Sequence, residues 1–199
     1  LNIIKKIVNL SSISDKNILE IGPGKGALTN EILKRKPKSL ILIEKDLLIY
    51  KELKNKYKKN KEVKIYNHDI LKFNLEDKIK NNTTIFGNLP YNISSQILVK
   101  ILKFNSWPPK CSKIIFMFQK EMADRIVGKY NTSKYGRLSI LTNYRLKIVN
   151  KFDVSPNCFF PKPKVNSTVI SFNPKKDNLI KINKIKNLEN ITNIFFSNR

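Results

Sequence analysis

The stretch Asn17-Ile18-Leu19-Glu20-Ile21 is short, apolar and of strand length, and it runs straight into Gly22-Pro23-Gly24-Lys25-Gly26-Ala27. Helical spacing follows from Leu28 to about Lys34. A strand, a glycine turn and a helix open a nucleotide-binding α/β sheet. A second strand, Ser39-Leu40-Ile41-Leu42-Ile43, ends in Glu44, whose carboxylate can accept hydrogen bonds from both ribose hydroxyls. A third, Val63-Lys64-Ile65-Tyr66, ends near Asp69, which can accept from an adenine amine or simply cap a turn. Gly22, Gly24 and Ala27 fit the dinucleotide fingerprint. Glu20, just before the turn, suits S-adenosylmethionine at least as well. Its carboxylate attracts the ammonium of a methionine end and repels a pyrophosphate.

A fourth strand, Thr83-Thr84-Ile85-Phe86-Gly87, leads into Asn88-Leu89-Pro90-Tyr91, at the strand end where open α/β sheets bind ligands. Pro90 holds Leu89 extended and contributes no backbone donor. The Leu89 carbonyl can then lie beside the Asn88 side-chain carbonyl. Two adjacent acceptors match the two N–H groups of an exocyclic amine, and favouring a tetrahedral nitrogen frees its lone pair for attack. Tyr91 offers a face on which a base can stack, worth roughly 1–3 kcal/mol. Taken alone, the tetrapeptide also fits an ordinary strand-to-turn junction. Asn92 or Ser94 is the expected cap of the helix that follows.

Charge bears on the partner. The chain has 199 residues, with 39 Lys and Arg against 15 Asp and Glu, a net charge of +24. Such an excess favours a polyanion through counterion release, although compositional drift in a Lys-, Asn- and Ile-rich chain produces it too. Two distant cysteines, Cys111 and Cys158, and one histidine, His68, argue against a metal centre and against a His-based triad. No apolar run approaches the ~18 residues that a membrane span needs.

The remaining elements fill in an alternating pattern. Leu1–Leu10 reads as an amphipathic helix on the core. A helix from Asp46 to about Lys58 is expected to turn Leu47, Leu48, Leu53 and Tyr57 inward. Strand Ile114–Phe118 precedes helix Gln119–Val127, a substrate-facing loop at Gly128–Tyr135, and helix Leu138–Leu146. Ile148–Val154 reads as an edge strand, Val165–Phe172 as the last strand, and Ile180–Phe196 as helix. Between them, Cys158-Phe159-Phe160-Pro161-Lys162-Pro163-Lys164-Val165 sets aromatics among lysines, which suits a base and its phosphates, or else a core plug.

Taken in order, these motifs resemble a known family. Leu19-Glu20-Ile21-Gly22-Pro23-Gly24, Ile43-Glu44, Asp69, Gly87-Asn88-Leu89-Pro90-Tyr91-Asn92-Ile93-Ser94, Gln119-Lys120-Glu121, Tyr135-Gly136-Arg137-Leu138-Ser139 and Phe159 to Val165 together resemble the ribosomal RNA adenine dimethyltransferases, of the bacterial small-subunit type. The resemblance implies a Rossmann-like class I S-adenosylmethionine-dependent methyltransferase fold, with a seven-stranded, mostly parallel sheet. It implies residues 1–177 as the catalytic domain and 178–199 as the first helix of a small C-terminal helical RNA-binding domain. It further implies that Glu20, Gly22, Gly24, Glu44, Asp69 and Asn88 hold S-adenosylmethionine. Asn88 and Leu89 would orient the target amine, with Tyr91 and Phe159 on the two faces of a flipped adenine. No metal is implied, and the expected partner of a monomeric enzyme is small-subunit ribosomal RNA in a pre-ribosomal particle, with no membrane.

Other readings remain. A macrolide-resistance methylase would act on large-subunit RNA, and a relative of the mitochondrial transcription factors would bind nucleic acid without catalysis. A nicotinamide dehydrogenase leaves Asn88-Leu89-Pro90-Tyr91 unexplained. The family's Gln-Asn-Phe-Leu motif is absent before Leu1, so a fragment with weak cofactor binding and low activity is expected. The compartment stays open among a bacterial cytoplasm, a mitochondrion and a plastid.

Overall fold

A computed structural model describes residues 3–159, 164–176 and 185–197. The alternating apolar and polar segments become helix α1 (Ile3–Val8), strand β1 (Asn17–Ile21), α2 (Ala27–Leu33), β2 (Ser39–Glu44), α3 (Leu47–Lys56) and β3 (Val63–Asn67). There follow α4 (Leu75–Lys78), β4 (Thr83–Asn88), α5 (Ser94–Leu102), β5 (Cys111–Gln119), α6 (Lys120–Ile126) and α7 (Arg137–Arg145). The last elements are β6 (Leu146–Val154), β7 (Ser167–Pro174) and α8 (Ile185–Phe196).

The strands form one seven-stranded sheet in the order β3-β2-β1-β4-β5-β7-β6. β1 to β5 pair in parallel, and β7 runs antiparallel to both β5 and β6. Strands buried on both faces do not alternate in polarity, and β1 and β4 are buried almost throughout. The helices divide the core into two layers. One, around Leu19, Ile85, Phe116 and Phe172, lies under α5 and α7. The other, around Ile18, Leu42, Phe86 and Met117, lies under α1 and α2. The order reverses between β1 and β4, which sets the ligand crevice at their carboxyl ends.

Several local expectations are corrected. Leu47 and Leu48 do not turn inward; they are 51% and 70% exposed, while Leu53 and Tyr57 are buried. The first turn of α3 is held by its cap instead, since Asp46 accepts from the Leu48 and Ile49 backbone N–H groups at 2.8 and 3.0 Å. Neither Asn92 nor Ser94 caps α5. A turn from Pro90 O to Ile93 N at 3.1 Å delays the helix, and the Ser94 hydroxyl donates back to Tyr91 O at 3.1 Å. β5 starts at Cys111, earlier than expected, where its backbone already pairs with β4, and the Lys113 ammonium donates to Leu10 O at 2.9 Å. β7 begins at Ser167, two residues later than expected. Residues 160–163 of the proline-rich loop and 180–184 of the last helical run lie outside the described residues.

Candidate active site

β1 ends at Ile21, and Gly22 at once turns the chain, its N–H donating to Ile43 O at 3.0 Å. Gly24 adopts φ +52, in the left-handed region, and a Cβ there would meet nothing within 4 Å. The space above the turn is open, as a site that a ligand approaches closely must be. From β2, the Glu44 carboxylate accepts from Gly24 N–H at 3.3 Å and from Asp46 N–H at 3.0 Å. Glu44 is only 9% exposed and braces the turn from the side.

A cavity of about 440 Å³ lies against this turn. Glu20, Gly22, Gly24, Asn88 and Phe159 all line it. Asn88 is the exposed last residue of β4. A Cβ on Gly22 would sit 3.5 Å from the Asn88 carbonyl, so the glycine turn and the strand end abut. Among the described residues the Asn88 carboxamide has no hydrogen-bond partner. Phe159 packs its half-buried ring on the α1–α2 side of the sheet, beside Val154 and Val169.

The other expected site residues stand outside this lining. The Leu89 side chain is 2% exposed and packs in the core. Tyr91 is half-buried, with its hydroxyl 2.7 Å from that of Ser167. Asp69 accepts from Leu71 N–H at 2.9 Å, and its other oxygen lies 2.9 Å from Lys45 Nζ. The Lys45 ammonium and then the Leu71 N–H hold its carboxyl below the usual range. The structure therefore brings together five of the expected residues, with Glu44 touching the turn beside them. Asp69, Leu89 and Tyr91 are not in the cavity's lining.

Ile3, Ile4 and Ile7 of α1 and Met117 and Val169 of the sheet also line the cavity, and sequence reading missed them. Their apolar spacing is the same whether a helix faces solid core or a cavity. Among the described residues no cluster of His, Cys, Asp or Glu could hold a metal ion, and no helix is long and apolar enough to cross a membrane.

Glu20 is 1% exposed and accepts from the Thr29 hydroxyl at 2.7 Å. Burial pushes its carboxyl from 4.5 up to about 7; the Thr29 bond opposes this and the Glu44 charge adds to it. Between those two values the native state binds more protons than the unfolded chain does, so this group's contribution to stability falls as pH rises. Above pH 7 the ionised carboxylate costs about 3 kcal/mol. Glu20→Gln is therefore expected to leave stability unchanged near pH 4.5 and raise it by about 2–3 kcal/mol at pH 8. Urea unfolding at both pH values measures this, and a difference that does not vary with pH would contradict it.

The acceptors at the turn fit the donors of an ammonium-bearing nucleoside: Glu20 lines the cavity, and Glu44 lies beside it, braced on Gly24 N–H. The sheet order with its reversed β7, and a strand-end asparagine beside the turn, define the chain as a class I methyltransferase.

The chain belongs to a family within that class, the ribosomal RNA adenine dimethylases, whose family model matches residues 1–199. A ribosomal RNA small subunit methyltransferase A of Pelagibacter ubique is 46% identical over 200 residues, covering 99% of this chain and 74% of that one. Its namesake from Malacoplasma penetrans is 48% identical, covering 88% of this chain and 62% of the other. Among solved structures, a dimethyladenosine transferase from Plasmodium falciparum superposes with a TM-score of 0.84 at 30% identity, covering 98% of this chain and 68% of that one.

Proposed function

We propose that this chain uses S-adenosylmethionine to dimethylate the exocyclic amines of two adjacent adenines in small-subunit ribosomal RNA. The observation that carries the reading is Asn88. Its carboxamide has no hydrogen-bond partner among the described residues, and it lines the same cavity as the glycine turn. The small-subunit names of the curated relatives favour this target over large-subunit RNA.

When bound, S-adenosylmethionine supplies the methyl group, its S–C bond breaking as the N–C bond to the adenine forms. Glu20 faces the ammonium end, and Glu44 accepts from the ribose hydroxyls. Asp69 lies where an adenine amine would reach the end of β3. The target adenine leaves its stack to enter. In the first transfer Asn88 Oδ1 and the Leu89 carbonyl would accept from the two N–H groups of its amine, and the singly methylated amine would keep one N–H for the second. Tyr91 and Phe159 hold the ring by its two faces. Catalysis is then positioning, and the acidic product cation releases its proton to water without a protein base.

Residues 1–177 form the catalytic domain in this reading. Residues 178–199 begin a helical RNA-binding domain, with Ile191, Ile194 and Phe195 on the exposed side of α8. The enzyme acts as a monomer on a pre-ribosomal particle. Mapping methylated adenines in ribosomal RNA from cells lacking the gene tests the assignment. Two adjacent unmethylated adenines, restored by the wild-type gene, are expected in the small subunit. Unchanged small-subunit methylation, or a loss confined to large-subunit RNA, would overturn it.

A further inference from the structure

We infer that Ser167, the first residue of β7, is the positioning residue that sets the plane of the Tyr91 ring, and so the face on which the target base stacks. This rests on the base-stacking reading of Tyr91 given above. Tyr91 leaves the sheet beyond β4, whereas Ser167 lies two strands away in space and 76 residues along the chain. Their hydroxyls are nevertheless 2.7 Å apart. Neighbouring strands are about 4.8 Å apart, so the tyrosine side chain must reach across the carboxyl end of β5 to make this contact.

The antiparallel direction of β7 makes the contact geometrically available. Its first residue comes level with the last residue of β5, Ser167 opposite Gln119. Two residues on, Val169 pairs with Met117, and both line the cavity beside Asn88. Alternate residues of a strand share a face, so Ser167 points to the cavity side of the sheet. Phe159 packs on that same side, against the cluster that contains Val154 and Val169. The hydroxyl bond therefore draws the outer end of the Tyr91 ring toward the side that carries Phe159.

Ser167 is a firm anchor. It is fully buried, at 0% exposure, and its strand is flanked by β5 and β6. Next to it, Asn166 O accepts from Lys120 N–H at 3.0 Å. Thr168 donates to Asp153 at 2.7 Å, and the other Asp153 oxygen accepts from Lys120 Nζ at 2.8 Å. Tyr91, by contrast, sits in a loop, between a proline and the start of α5. A loop ring tied by its far end to a rigid strand keeps one orientation, which is what a stacking platform requires.

The test compares Ser167→Ala, Tyr91→Phe, the two combined, and Tyr91→Ala, each in the full chain, with purified small-subunit particles as substrate. Ser167→Ala and Tyr91→Phe are each expected to lower kcat about five- to tenfold, the scale of one hydrogen bond. The double variant should be no slower than either single one, because the two remove the same bond. KM for the particle and the dissociation constant for S-adenosylmethionine should stay within about twofold, since the two hydroxyls bond each other and neither residue lines the cavity at the glycine turn. Additive losses, or a loss carried by cofactor affinity, would overturn the inference and make Ser167 a packing residue. If Ser167→Ala fails to fold, Tyr91→Phe decides alone: unchanged kcat rejects the hydroxyl bond's role. Tyr91→Ala separates the layers. Full turnover there refutes base stacking itself, whereas an inactive Tyr91→Ala beside normal Tyr91→Phe and Ser167→Ala refutes only the positioning by Ser167.

Discussion

Asn88→Ala is expected to cut methyl transfer to small-subunit particles by at least about a hundredfold, with the fold intact. The size follows from what the side chain does in the proposed mechanism. It supplies one of two acceptors that orient the amine, and a single preorganised polar group at a reacting centre is worth about 10²–10³ in rate. The small structural cost follows from where it sits. Asn88 is the exposed terminus of β4, and the five strand residues before it are buried and carry the packing. Its backbone pairs opposite Met117 whatever the side chain. A tritiated-methyl assay, run beside a thermal melt, measures both quantities. Retained turnover with an unchanged melting temperature would remove Asn88 from the reaction.

The parallel half of the sheet was legible because its signals are local. β1, β2 and β4 are buried, largely apolar runs that lead into Gly22, Glu44 and Asn88, and the sequence places their limits to within a residue of those observed. Asp46 announced itself as a cap in the same way. The expectations that failed depend on the third dimension. Leu47 and Leu48 have core chemistry and helical spacing, yet they fall on the first turn of α3 and are exposed. Ser94 has the chemistry of a cap but sits one residue inside the helix, so its hydroxyl donates backward. At the site, Gly22, Gly24 and Asn88 were visible because each sits at a strand end. Ser167 gave no signal, since nothing in the sequence marks residues 91 and 167 as neighbours. The same holds for Lys45, whose ammonium meets Asp69 across the ends of two strands. Ile3, Ile4 and Ile7 were read as core, which is correct for their chemistry and silent about the cavity they border.

Glu44→Ala is expected to weaken S-adenosylmethionine binding about a hundredfold or more while sparing the sheet. Two effects add. In the proposed site the carboxylate accepts from both ribose hydroxyls, and hydrogen bonds to a charged group are worth about 1.5–3 kcal/mol each. The same carboxylate also braces Gly24 N–H at 3.3 Å and Asp46 N–H at 3.0 Å, so its loss loosens the turn that the ligand must approach. α3 keeps its own cap through the Asp46 bonds to Leu48 and Ile49, which confines the damage to the turn. Glu44→Gln separates the two effects. An amide retains one acceptor and most of the shape but loses the charge, so about a tenfold weakening is expected from it. Isothermal titration with S-adenosylmethionine and with S-adenosylhomocysteine reads both variants, and the ribose is common to the two ligands, so both affinities should fall together. If only the sulfonium ligand weakened, Glu44 would be acting on the positive charge rather than on the ribose. Unchanged affinity for both would leave it a brace of the glycine turn and nothing more.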